Sequence, residues 1–129
     1  MSYMTHPINE SPVIYGEAGA AITAPAMKVV AFDSSGNFIL PAATSVPIGV
    51  VLATKVDAAV GDRLDVQIKD ICFALAGETI KRGNLLMAHT DGTVKVATAG
   101  KHVIGVALGG AASGKPVEML IFHTLMPSA

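Results

Sequence analysis

The residues that could do chemistry in this chain of 129 are few and scattered. GGAASGK at 109–115 fills the first seven positions of a phosphate-binding loop, whose backbone N–H groups cradle phosphate oxygens. The eighth position should carry a Ser or Thr hydroxyl for Mg²⁺, and Pro116 stands there instead. Such a loop must also open a helix whose N-terminus faces the anion, whereas VEMLIF after Pro116 reads as a strand. A glycine-rich hairpin loop is the expectation. His6, His89, His102 and His123 lie far apart, with no ligand spacing such as i, i+4 on a helix. Cys72 sits between Ile71 and Phe73 with no cationic neighbour to favour its thiolate, so it reads as a small core residue. Asp57, Asp62, Asp65, Asp70, Asp91 and Glu118 fall in loops or on the wet faces of strands. No Gly-x-Ser-x-Gly elbow occurs. No set supplies a nucleophile, a base and a stabiliser in separate roles, so the chain is expected not to be an enzyme and to need no metal or cofactor.

What must position side chains of this kind is a core rich in small apolar residues. The sequence is 51% hydrophobic but only 5% aromatic, and 15% of residues are charged against the roughly 25% usual in soluble domains. A surface so poor in charge favours a lasting protein partner. The net charge of −1 removes the electrostatic driving term for nucleic-acid binding. The start, MSYMTHPINESP, has neither the basic nor the apolar region of a signal peptide, and the apolar run at 38–54 is broken by Pro41 and Pro47. Neither a nucleic acid nor a membrane is expected as a partner, and synthesis in the cytoplasm is.

The organising feature is a tripeptide present twice, Ile48-Gly49-Val50 and Ile104-Gly105-Val106. Each copy enters a loop of small residues that reaches Gly61 or Gly114 and leaves as an alternating strand. Leu64, Val66 and Ile68 in the first copy answer Val117, Met119 and Ile121 in the second. The offset between copies is 58 residues at Ile22/Ile80, 56 at Gly36/Gly92 and 53 at Gly61/Gly114, so it changes only in loops. A period of two marks half-buried strands, and no stretch keeps a helical period for three turns. The expectation is an all-β domain, a small barrel or sandwich of short strands from two similar halves, at about 21–70 and 71–124, with little helix. The glycine of Ile-Gly-Val is expected at a close-packed strand position.

Residues 1–20 differ. Pro7 and Pro12 oppose a regular element, yet Tyr3, Met4, Ile8, Val13, Ile14 and Tyr15 form a sticky stretch. This segment is expected to be an extended N-terminal arm that orders on a partner, in front of a single β-domain at 21–129.

Two resemblances bear on function. Ala26-Met27-Lys28-Val29 and Gly61-Asp62-Arg63-Leu64 resemble turns of biotinyl and lipoyl carrier domains, which implies an alternative reading as a carrier modified on Lys28. Against it, Lys28 follows Ala24-Pro25 and begins a strand rather than capping a hairpin. The wider resemblance covers 21–121. AGETIKRGNLL, the Asp91-Gly92-Thr93-Val94 turn and Val103-Ile104-Gly105-Val106-Ala107, with the same order in the first half, resemble the capsid cement or head decoration proteins of tailed phages, including the lambda type. Where that family often has Ala-Gly-Asp, this chain has Arg82-Gly83-Asn84. The resemblance implies a structural virion protein on the outer surface of the head that clamps the expanded shell. Its implied partners are the major capsid protein and further copies of itself in a homotrimer. The implied capsid-binding arm comprises Tyr3, Met4, His6, Pro7, Ile8, Val13, Ile14 and Tyr15.

Overall fold

A computed structural model describes residues 11–42, 44–52 and 57–127. Twelve strands run in chain order, with no helix among the described residues. In the first half they are β1 (Val13–Glu17), β2 (Ile22–Thr23), β3 (Val29–Phe32), β4 (Phe38–Ile39), β5 (Gly49–Val51), β6 (Asp57–Ala58) and β7 (Arg63–Gln67). In the second they are β8 (Asp70–Leu75), β9 (Leu85–Ala88), β10 (Val94–Val96), β11 (His102–Ala107) and β12 (Pro116–Leu125). The all-β expectation holds.

The strand orders show the duplication. One five-stranded sheet runs β1-β7-β5-β3-β4 and the other, read the same way, β8-β12-β11-β9-β10. Single bonds repeat as well. Gly19 N–H donates to Phe38 O at 2.8 Å, and Gly77 N–H donates to Val94 O at 2.8 Å. Asp33 N–H reaches Asn37 O at 2.8 Å across the first turn, and His89 N–H reaches Thr93 O at 2.8 Å across the second. The small β2–β6 pairing, Ile22 with Ala58, returns as the bridge of Ile80 with Ala111.

The repeat starts earlier than the sequence suggested. From Val13 onward the expected arm is β1, paired with β7 over five residues from Val13↔Gln67 to Glu17↔Arg63. Its counterpart is β8, paired with β12. The boundary at residue 20 is therefore corrected: residues 13–20 belong to the β-domain. The alternation is hidden at Gly16, where a Cβ would come within 2.8 Å of the Phe38 ring. The counterpart, Ala74, has room because Val94 stands where Phe38 does. The strand expected to begin at Lys28 begins at Val29, because Met27 adopts a φ of 64° in the turn before β3.

Each half has its own core. Ala18, Ile22, Val30, Phe38, Val51, Leu64 and Val66 form the first. Cys72, Ala74, Leu86, Val94, Ile104, Val117 and Met119 form the second, and Val29 and Val50 of the first half join it. Between them the strands bury Val and Leu side chains worth about 1.5–3 kcal/mol each on transfer from water.

The glycine of each Ile-Gly-Val fits its strand because the neighbouring backbone lies too near for a side chain. A Cβ on Gly49 would press on Gln67 O, and one on Gly105 on Leu120 O, both inside the 3.0 Å that real Cβ atoms keep. Gly49→Ala and Gly105→Ala are each predicted to lower stability by about 1–3 kcal/mol or more, the usual cost of overpacking. Urea denaturation of the two variants checks this, and unchanged midpoints would contradict the close packing.

Candidate interaction surface

The chemically suggestive residues do not converge. The 109–115 loop joins two strands, with Gly114 at φ 83°, and Pro116 opens β12 where a phosphate loop would open a helix. Cys72 is buried, and burial pushes its thiol up to about 12. Such a thiol stays protonated and unreactive at neutral pH. Lys28 lies just before β3 and not at a hairpin tip. Its ammonium donates to Thr23 O at 2.7 Å, and its backbone N–H donates to Pro25 O at 3.0 Å. Among the described residues no three His, Cys, Asp or Glu groups gather to hold a metal ion.

Asp33 and Asp91 cap matching turns. Asp33 Oδ1 accepts from the N–H groups of Ser35 (2.8 Å) and Asn37 (2.9 Å). In the second half Asp91 Oδ1 accepts from Thr93 N–H at 3.0 Å and from the Thr93 hydroxyl. Partial desolvation works to raise the Asp91 carboxyl, but the Thr93 bonds and the charge of His89 outweigh it and hold it below the ordinary value. His123 is held below the ordinary imidazole value by desolvation first, then by the charge of His102, against a hydrogen bond with the Ile48 backbone.

What the geometry builds is a surface. On sheet two, the residues facing away from the core form a row straight across four strands. Leu85 opposes Val106, Val106 opposes Leu120, and Leu120 opposes Ile71. Leu120 and Ile71 are 39% and 54% exposed, and Phe73 and Phe122 flank them, also exposed. A contiguous apolar row of this kind is uncommon on a surface that meets only water. The sequence showed these residues as separate strand positions, and only the pairing registers bring them into line. In the first half the part of the corresponding face beside the sheet edge is more polar. There Tyr15 carries the Arg63 guanidinium 4.3 Å above its ring, and Arg63 pairs with Asp65 at 3.2 Å.

Of the sequence-predicted arm, Tyr3, Met4, His6, Pro7 and Ile8 lie outside the described residues. Val13, Ile14 and Tyr15 are in β1, which is the edge strand of its sheet. Ile14 packs partly buried against the first core, whereas Tyr15 is 70% exposed. The 58-residue offset at Ile22/Ile80, carried back, sets 13–17 against 71–75 and was the available signal for this strand.

No family model matches the sequence, and no curated protein matches it. Among solved structures, the head fiber gp8.5 N base of bacteriophage phi29 matches with a TM-score of 0.68, covering 85% of this chain and 94% of that one. The chain shares its fold with a phage head-fiber base. Sequence identity between the two is 21%, so the likeness is one of architecture.

The two depressed groups set a pH dependence. A His held below its ordinary value binds fewer protons folded than unfolded, so stability is lost as pH falls below about 6.5. Asp91 adds a second loss at lower pH, as acid titrates its folded carboxyl. His123→Ala is predicted to flatten the first limb of a melting-temperature profile and leave the second. A wild-type profile that rises on acidification from pH 7 to 5 would contradict the assignment.

Proposed function

We propose that this protein is a structural component of a phage virion that binds the outside of the head and stabilises the expanded shell of major capsid protein. The observation that carries the reading is the shared architecture with a phage head-fiber base. Two features support it. Asp33 and Asp91 are spent on matching turns, as a protein without a reaction to catalyse permits. The surface is poor in charge and carries an apolar row, as a protein that works by packing requires.

Attachment runs through the N-terminal residues. Tyr3, Met4, His6, Pro7 and Ile8 precede β1, and β1 lies at a sheet edge, so the segment enters the domain where a neighbouring strand can add. Val13, Ile14 and Tyr15 serve this role from within the domain, holding the root of the segment. Ordering such a segment costs about 2–5 kcal/mol of the gross interaction energy. In a homotrimer the second and third attachments are intramolecular, and avidity can rise by ~10²–10⁴.

The test is co-sedimentation with expanded heads, paired with the temperature at which those heads lose their DNA. The full chain is predicted to pellet with heads and raise that temperature. A chain lacking residues 1–11 is predicted to keep its own unfolding midpoint and stay in the supernatant. Retained binding by the truncated chain would overturn the arm, and no binding by the full chain would overturn the head-binding role. A longer truncation, to residue 17, is predicted to lose cooperative unfolding because it removes β1.

A further inference from the structure

The two halves of the chain dock in one direction only, and the docking leaves a matching contact unused at each end. In the first half, the outward row Val29–Val50–Gln67 corresponds to Leu85–Val106–Leu120 of the second. Val29 and Val50 are completely buried because they insert into the second core. Backbone bonds fasten the same seam: Val29 N–H donates to Gly92 O at 2.7 Å and Leu75 N–H to Met27 O at 2.9 Å. The Gln67 amide donates to Ile71 O at 2.7 Å. Under this cover Cys72, Ile104 and Ile121 are buried.

Among the described residues the counterparts are less covered. Ile14, Ile48 and Ile68 stand in the first half where Cys72, Ile104 and Ile121 stand in the second, and they are only partly buried. Leu85 and Val106 stand where Val29 and Val50 do, and they too are only partly buried. The chain thus has one open insert and one open socket, and each is the repeat of a partner that is satisfied within the chain. We infer that the Leu85–Val106–Leu120–Ile71 face docks on a second copy of this chain, inserting Leu85 and Val106 beside Ile14, Ile48 and Ile68.

The contact is heterologous, because the two surfaces differ, and it repeats from copy to copy until a ring closes. The divergence of the two halves fits this use. Gln67 lies inside the chain and spends its amide on the seam, whereas its counterpart Leu120 is apolar and lies on the open face. The exposed Ile71 lies beside Leu120, extending that face to the sheet edge. The inference rests on the internal repeat and not on head binding, so it stands or falls in the absence of any capsid.

The test uses the full chain in solution. Sedimentation equilibrium is predicted to give an assembly of several chains for the wild type. Val106→Glu removes the insert and Ile68→Glu the socket, and each is predicted to sediment as a single chain. Mixed together they are predicted to form a dimer of one of each, since one insert and one socket remain. A two-fold contact between identical faces would give no such rescue. Leu120→Glu, at a more exposed position, and Ile14→Ser serve as milder partners for the same mixing, with urea unfolding to establish that each variant is folded. Val60→Glu, away from the row and 70% exposed, is predicted to leave the assembly intact. A monomeric wild type at high protein concentration, an unchanged mass for folded Val106→Glu and Leu120→Glu, or the absence of a mixed dimer would each overturn the inference.

Discussion

The structure depends on the insertion of Val29 and Val50 into the second core. Their two side chains leave the outer face of one sheet and complete the interior of the other. Without them Cys72, Ile104 and Ile121 would face an opening, and a half of about 55 residues would have to bury its own core alone, which is marginal at that size. The backbone bonds of Val29 and Leu75 share the seam, so its register is fixed by hydrogen bonds as well as by packing. Met27 holds a left-handed φ at this point, a conformation that costs a non-glycine residue about 1–2 kcal/mol. Its carbonyl accepts from Leu75 and its N–H donates to Val51, so the strained residue is tied on both sides. The second half has Gly83 at the equivalent place, with no such strain.

Much of this was legible in the sequence because of two regularities. A strict period of two put Leu64, Val66, Val117 and Met119 on buried faces, and all four are buried. The repeated Ile-Gly-Val marked a position where backbone meets backbone, as the Gln67 and Leu120 carbonyls show. The failed phosphate loop was legible too, since Pro116 lacks the Mg²⁺-binding hydroxyl and the residues after it read as the strand they form. What escaped was local. Gly16 interrupts the apolar alternation of β1 to make room for the Phe38 ring, so an edge strand of the domain read as the end of a loose arm. The outward apolar row escaped for another reason. Its members are 14 or more residues apart in sequence, and a row across strands exists only once registers are set.

Divergence between the halves separates architecture from use. Positions that hold the fold are kept alike: the paired turns, the glycine of each Ile-Gly-Val and the inward-facing strand residues. Positions on the outer faces differ. Tyr15 with Arg63 and Asp65 in the first half gives way to Phe73 with Pro116 and Glu118 in the second, and Gln67 gives way to Leu120. A duplicated domain that needed only to fold would have no reason to leave Leu120 and Ile71 exposed on the outer face of its second copy. Here that face is the one inferred to dock on a second copy of the chain.

The most direct test of the proposed role is an electron cryomicroscopy map of expanded heads incubated with saturating full-length protein. The account predicts added density on the outside of the shell, with the duplicated β-domain fitted in it and the N-terminal residues meeting the major capsid protein. Heads whose outer surface is unchanged at saturation would contradict it.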